Sequence, residues 1–472
     1  MQLRIATFII VLLINFAAYG QDGFHRTYQT AEGDTIFRHI ATTTTNGDVI
    51  SLGTRQSGDD NQALMLVRLD VKGNISWQRS LDFGRDTVSI VGLGDISLNS
   101  TEDSILFTAV LREESVNREI FGRTTLSGET VEIFSIGGAN TEPRDVPRIS
   151  GYYNNTDLIH TSSDRPVIAR VASDNSLLWS RAYQFVASDG DEIQSSITDM
   201  KSTTDTTIIL SDNSGANQFM LAELDSNGVQ IWAENYSLAG SSDDIFPNEI
   251  VKLDNMSSAV VGYYTEGSDT NGYIMIVDTF GSPLVSLQLN IKGNQTNARN
   301  ILQAEDRSLW ISGTYTSGDS LQYFTTNVST DGSINWTTIY PQKRALDLPS
   351  STSLIPIEEG GAVLVGNQVN DAGRQQWNVM NHNENGETPC SDTITMLSVE
   401  IDIDSDTITI MVENGGLFFN EVLFEDLVTG LISPPVLQVR EPYVFCPDEL
   451  IGLDTVLLAE VSGVDDITYQ WA

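Results

Sequence analysis

The sequence is poor in the residues that most often carry catalysis and cross-linking. Four histidines and two cysteines among 472 residues leave no material for a thiolate metal cluster or a disulfide-dense scaffold. Basic residues are also scarce: 25 Lys and Arg stand against 64 Asp and Glu, a net charge of −39. A field of that sign repels the phosphates of nucleic acid and the surface of an anionic membrane. After the first twenty residues no apolar run approaches the roughly 20 residues needed to cross a bilayer as a helix. Long stretches of helical periodicity are missing as well, and this points to an all-β chain.

Residues 1–20 read as a signal peptide. Arg4 supplies the positive start and Ile5 to Phe16 the apolar core, with only Thr7 and Asn15 interrupting it. Ala18-Tyr19-Gly20 then places small residues where a signal peptidase reads them, so cleavage is expected before Gln21. The core is too short to span comfortably. The mature chain is therefore expected to be secreted or held at the outer cell surface, without membrane insertion.

What the sequence does contain is a repeat. Leu69-Asp70-Val71-Lys72-Gly73 is followed by Trp77, Leu224-Asp225-Ser226-Asn227-Gly228 by Trp232, and Thr330-Asp331-Gly332 by Trp336. Asn175 takes the glycine position ahead of Trp179, and weaker copies turn at Gly128, Gly281 and Gly386 with Glu132, Val285 and Cys390 at the Trp position. Successive positions 77, 132, 179, 232, 285, 336 and 390 lie 55, 47, 53, 53, 51 and 54 residues apart. A period near 50 belongs to propellers and solenoids. Each unit carries a doubly buried apolar run such as Val49 to Gly53, a second run such as Leu64 to Leu69, a glycine turn and the Trp strand.

Tyr183, Tyr236 and Tyr340 stand four residues beyond Trp179, Trp232 and Trp336, and Phe24 and Tyr28 repeat that separation at the N-terminus. The first strand of the mature chain thus reads as the Trp strand of the last unit, placed first. A ring closed in this way leaves no exposed sheet edge at its ends. These observations predict a seven-bladed β-propeller over 21–390 whose N-terminal strand completes the last blade. The recurrent Trp and Tyr residues are expected to pack between neighbouring blades.

The Leu-Asp-x-x-Gly-x-x-x-Trp unit resembles the propeller-like repeats of large secreted Bacteroidetes proteins, which commonly use the type IX secretion system. Cys446-Pro447-Asp448-Glu449 to Tyr469-Gln470-Trp471 resembles the opening of an immunoglobulin- or PKD-like module of the same proteins. The resemblance implies an incomplete module at 446–472 and a C-terminally truncated chain. Between the two, Val399, Ile401, Ile403, Ile408 and Ile410 alternate with polar residues, and 391–445 reads as a small β domain or connector. Asp402, Asp404 and Asp406 offer the oxygen ligands calcium takes, while alternation on a solvated strand accounts for them without a metal. Cys390 and Cys446 form a candidate disulfide, worth roughly 4 kcal/mol for a loop of that length; two free thiols are the other reading.

No catalytic or cofactor-binding constellation stands out. The Gly-x-x-x-Trp turn resembles the Trp motif of quinoprotein dehydrogenases, but no adjacent cysteines accompany it. Asp331-Gly332 resembles the sialidase Asp box with the wrong spacing. His25, His39, His160 and His382 are scattered, with no His-x-x-x-His or Gly-x-Ser-x-Gly. The expectation is a non-catalytic platform or spacer for an extracellular protein or glycan. The competing expectation is a propeller enzyme acting on a glycan through two carboxylates, which the sequence cannot nominate among so many acids.

Overall fold

A computed structural model describes residues 25–414 apart from 31–34, 58–60, 83–87, 100, 114–115, 129–130, 138–146, 153–155, 162–164, 175, 188, 194, 204–205, 214–216, 319, 345–351, 358–360, 370–374 and 389–390. Beyond these it describes the strands Phe418–Glu421, Leu437–Val439, Leu457–Ser462 and Asp466–Trp471. The predicted signal peptide, Phe24, Cys390 and Cys446 lie outside the described residues.

The chain forms seven antiparallel blades, and so is the all-β propeller that the repeat predicts. The innermost strands of blades 1 to 7 are Thr35–Thr43, Val88–Leu98, Arg148–Tyr152, Ser195–Ser202, Ile245–Lys252, Thr296–Gln303 and Ser353–Pro356. The outermost strands of blades 1 to 6 are Ile75–Asp82, Val131–Gly137, Leu177–Val186, Gln230–Leu238, Pro283–Asn290 and Ile334–Arg344. Blade 7 takes its outer strand from the N-terminus: His25–Thr30 pairs with Gln375–His382, with Tyr28 opposite Trp377. His25 Nε2 and Asn378 Oδ1 meet at 2.9 Å across this closure.

The core lies between blades, which explains the unbroken apolar runs. In blade 1, Ile50 and Leu52 pack with Phe107 and Ile120 of blade 2. Val49 of the same strand packs with Val363 and Trp377 of blade 7. A middle strand buried on both faces has no wet side to mark with polar residues. Equivalent clusters join blades 2 and 3, 3 and 4, 4 and 5, 5 and 6, and 6 and 7.

Residues 391–414, part of the stretch read from the sequence as a small β domain or connector, run along the blades. Their strands pair with the outermost strands of the blades, adding a fifth strand to blades 4, 5 and 6 and a sixth to blade 3, where Glu192–Ile193 also pairs with Leu177–Val186. Asp392–Thr393 joins blade 6, Leu397–Glu400 blade 5, Ile403–Thr407 blade 4 and Thr409–Asn414 blade 3. Phe418–Glu421 continues on blade 2, and Leu437–Val439 pairs with the closing strand of blade 7. The segment is a belt running backwards round the ring. Its apolar residues fill the grooves between blades: Met396 enters the core of blades 5 and 6, and Ile408 and Ile410 that of blades 3 and 4. Leu457–Ser462 and Asp466–Trp471 form one antiparallel hairpin.

Candidate functional site

The outer rim shows what the repeat motif does. Each turn glycine has positive φ, as at Gly228 (74°), Gly281 (89°) and Gly386 (74°). Gly128, Gly228, Gly281 and Gly386 also lie against the Trp of the preceding blade, and Gly332 against Val285 and Leu287, Val285 holding the Trp position there. A Cβ would stand 3.0 Å from Trp179 at Gly228, 2.8 Å from Trp232 at Gly281 and 2.3 Å from Trp336 at Gly386. Trp77 sits likewise against Gly128 and donates its indole N–H to Leu126 O at 2.9 Å. Glycine and tryptophan are two halves of one contact, made between blades.

The tyrosines complete it. Tyr28 donates to Gly73 O at 2.6 Å, Tyr183 to Gly228 O at 3.0 Å and Tyr236 to Gly281 O at 2.6 Å. The first of these crosses from the closing strand to blade 1. Tyr340 departs from the pattern: its hydroxyl meets Thr325 Oγ1 and His382 Nε2, and Thr338 donates to Gly386 O at 3.0 Å instead. In blade 1, where Leu81 takes the tyrosine position, Arg79 Nε donates to Gly128 O at 3.0 Å. All four tyrosines are fully buried, so these residues build the ring and offer no surface to a ligand.

The functional candidate is on the inner face. A cavity of about 360 Å³ lies on the central axis, lined by residues of all seven innermost strands. On each strand a polar residue precedes a buried apolar one: His39-Ile40, Asp95-Ile96, Arg148-Ile149, Asp199-Met200, Glu249-Ile250, Asn300-Ile301 and Ser353-Leu354. In five blades a bulge at or just before the polar member breaks the strand alternation, as between Ile197 and Asp199 and between Pro247 and Glu249. Bulges re-aim side chains in this way.

Most of these polar residues tie one blade to the next. Asp199 Oδ2 accepts the Ile250 N–H at 3.0 Å, and Glu249 Oε2 accepts the Ile301 N–H at 3.0 Å. Asn300 Nδ2 donates to Thr352 O at 3.3 Å, Ser353 Oγ accepts the Ala41 N–H at 3.0 Å, and Arg148 Nη1 donates to Gly94 O at 3.1 Å. Inner strands have one free edge, and the neighbouring side chain satisfies it. His39 turns away: its ring stacks on Trp377 at 4.6 Å and its Nδ1 meets Ser51 Oγ at 2.9 Å. Burial pulls its pKa down to about 3, and that of His382 to about 4. Both are neutral packing groups.

Lys201 stands among the channel carboxylates. Its Nζ is 3.4 Å from Asp199 Oδ1 and 3.2 Å from Glu249 Oε1. Burial lowers the ammonium pKa, but Asp199, Glu249 and Asp95 together outweigh it and hold the group charged above its usual range. Burial also raises the Glu249 carboxyl, against the pull of Lys201 and with the push of Asp199. Asp95 is raised for the same first reason, opposed by Lys201 and Arg148. The ammonium occupies the point where two carboxylates converge, so it is the built-in cation of the site. Among the described residues no group of three or more His, Cys, Asp or Glu is placed to hold a metal ion. Asp402, Asp404 and Asp406 are exposed on the belt.

Beside this cluster the wall is aromatic. Phe246 and Tyr263 stack with ring centroids 4.9 Å apart and planes 22° from parallel, and both line the cavity. A polar ring next to an aromatic step is the composition of a binding pocket with a few orienting groups. The sequence reading singled out the rim aromatics and nominated none of these inner residues. Their signal was the polar–apolar pair recurring every 50 to 56 residues.

No protein-family description and no curated protein matches the chain. Solved structures similar to it include a protein of unknown function from Dyadobacter fermentans, with 10% identity and a TM-score of 0.43, covering 76% of this chain and 97% of that one. The polysaccharide lyase Uly1 matches at 10% identity and TM-score 0.42, over 75% and 90% of the two chains. The NanB sialidase of Streptococcus pneumoniae matches at 8% identity and TM-score 0.41, over 76% and 70%. At this distance none of them bears on activity.

Proposed function

We propose that the chain is a non-catalytic exported protein whose propeller is a platform that binds an extracellular glycan at the central cavity. One observation carries this reading: two of the channel carboxylates, Asp199 and Glu249, are already spent. Asp199 accepts backbone N–H groups with both oxygens, from Met200 at 2.8 Å and Ile250 at 3.0 Å. Glu249 holds Ile301 N–H with one oxygen and Lys201 with the other. Groups engaged in this way are poor nucleophiles or bases, but they fix a rigid polar rim. The Phe246–Tyr263 step supplies the apolar face on which a sugar ring stacks its C–H groups, with Arg148 and Arg299 beside it for hydroxyl or carboxylate groups. Export is supported by residues 1–20, and the acidic surface suits a soluble extracellular protein.

A second reading, a glycan-cleaving enzyme, is favoured by one feature. Glu249 and Asp95 are carboxyls whose proton affinity is raised, as a general acid requires. A panel of immobilised glycans separates the two. The platform reading expects binding of one glycan class, weakened at least about tenfold by Tyr263→Ala, since one lost aromatic contact of about 1.4 kcal/mol gives that factor. Absence of binding across the panel would remove the glycan, and shortening of the bound glycan would replace the platform by the enzyme.

A further inference from the structure

The charge of the cavity wall is out of keeping with the rest of the chain. Acids outnumber bases 64 to 25 over the whole sequence. Around the cavity Arg148, Lys201 and Arg299 face Asp95, Asp199 and Glu249, and the two signs balance. The three cations differ in what holds them. Lys201 lies between Asp199 and Glu249. Arg299 is the extra residue of the blade 6 bulge, between Ala298 and Asn300. Arg148 heads the innermost strand of blade 3 and makes no ion pair among the described residues. One N–H of its guanidinium goes to Gly94 O at 3.1 Å, and its Nε is buried without a partner. A guanidinium withdrawn from water loses hydration that a counter-charge would return. Asp95 is a poor counter-charge: it gives Oδ1 to the Ile96 N–H at 2.8 Å, and burial pushes its carboxyl towards the neutral form, against Lys201 and Arg148.

We propose that the glycan bound in the cavity is an acidic one, and that Arg148 receives the carboxylate of one of its sugars. This rests on the glycan reading above and narrows it to a chemical class. A guanidinium presents its N–H groups as a planar fork that matches a carboxylate, and a bond to a charged acceptor is roughly twice as strong as one to a neutral hydroxyl. The negative charge of the whole chain does not oppose this. At physiological salt, exposed charges more than about 8 Å apart are largely screened, so the groups of the wall decide. Arg299 adds a second guanidinium to that wall, and the Phe246–Tyr263 step of blade 5 takes the apolar face of a ring.

Paired ligands test the assignment on the full chain. Uronate and sialate oligosaccharides are titrated beside the same compounds with their carboxyl groups reduced to alcohols. An acidic oligosaccharide should bind at least about tenfold more tightly than its reduced form, the factor that one charge-assisted bond supplies. Arg148→Gln should abolish that preference and bind the reduced form as the native chain does, which a misfolded variant would not. Neutral or reduced glycans that bind the native chain as tightly as acidic ones overturn the proposal without need of a variant, and leave the glycan reading standing. A variant that keeps the full preference overturns the role of Arg148. Binding of no glycan, acidic or neutral, overturns both readings together.

Discussion

The outer rim and the inner ring of this propeller solve the same problem with opposite means. Both join blade to blade. The rim does so with one contact used over and over, a tryptophan against a glycine turn with a hydroxyl on the glycine carbonyl. The inner ring uses His39, Asp95, Arg148, Asp199, Glu249, Asn300 and Ser353 at equivalent places, and a different bond at nearly every one. Repetition marks the part that only packs. Divergence marks the part that lines the central cavity, where under the proposed function each blade supplies a different group to the ligand.

The comparison can be broken at the rim first. Gly281→Ala puts a Cβ 2.8 Å from Trp232 at φ +89°, and should cost about 2–4 kcal/mol from strain and overpacking together. Gly267→Ala has positive φ but nothing within 4 Å of its Cβ, and should cost only about 1 kcal/mol. Denaturant midpoints of the two variants measure the difference, and equal losses would mean that the glycine–tryptophan contact is not the reason for the glycine.

The seam between the last blades comes next. His382 is held neutral, accepting from Tyr340 and donating to Ala362 O at 3.0 Å. Its folded pKa of about 4 lies below the unfolded value of 6.5, so the unfolded chain binds the extra proton. Its contribution is complete above about pH 6.5 and is lost as the pH falls towards 4, roughly 2 kcal/mol at pH 5. Thermal unfolding of the native chain and of His382→Gln, compared at pH 8 and pH 5, should show the gap between them shrinking or reversing at the lower pH.

Smaller effects sharpen the contrast. Tyr236→Phe removes the donor to Gly281 O, a fully buried bond of 2.6 Å, and should cost about 1–1.5 kcal/mol in the same denaturation assay. Glu249→Gln keeps an acceptor for the Ile301 N–H but loses the charge and the hydrogen bond from the partly exposed Lys201, so its cost should be about 1 kcal/mol. A larger loss there would show that the inner ring depends on charge as the rim depends on shape.

These differences also explain what could be read in advance. The period, the seven blades and the closing strand were legible, because a glycine forced by positive φ and an indole forced by its partner recur as the same letters. The inner strands were not, since a bulge breaks their alternation and the key position changes chemistry from Asp199 to Glu249 to Asn300. Nor was the belt. Ile408 and Ile410 alternate like any strand with one wet face, and the partners of that strand, Arg181 to Val186, lie more than two hundred residues earlier. Local pattern shows that a strand exists but not what it pairs with.

The central claim is that the cavity binds a glycan and leaves it intact. The direct measurement is titration calorimetry with a glycan from the binding panel, with the same mixture assayed over hours for new reducing ends between pH 5 and pH 8. The account predicts saturable heat at one site per chain and no reducing ends above the blank. Steady release of reducing ends that disappears in Glu249→Gln would contradict it and make the carboxylates of the inner ring a catalytic pair.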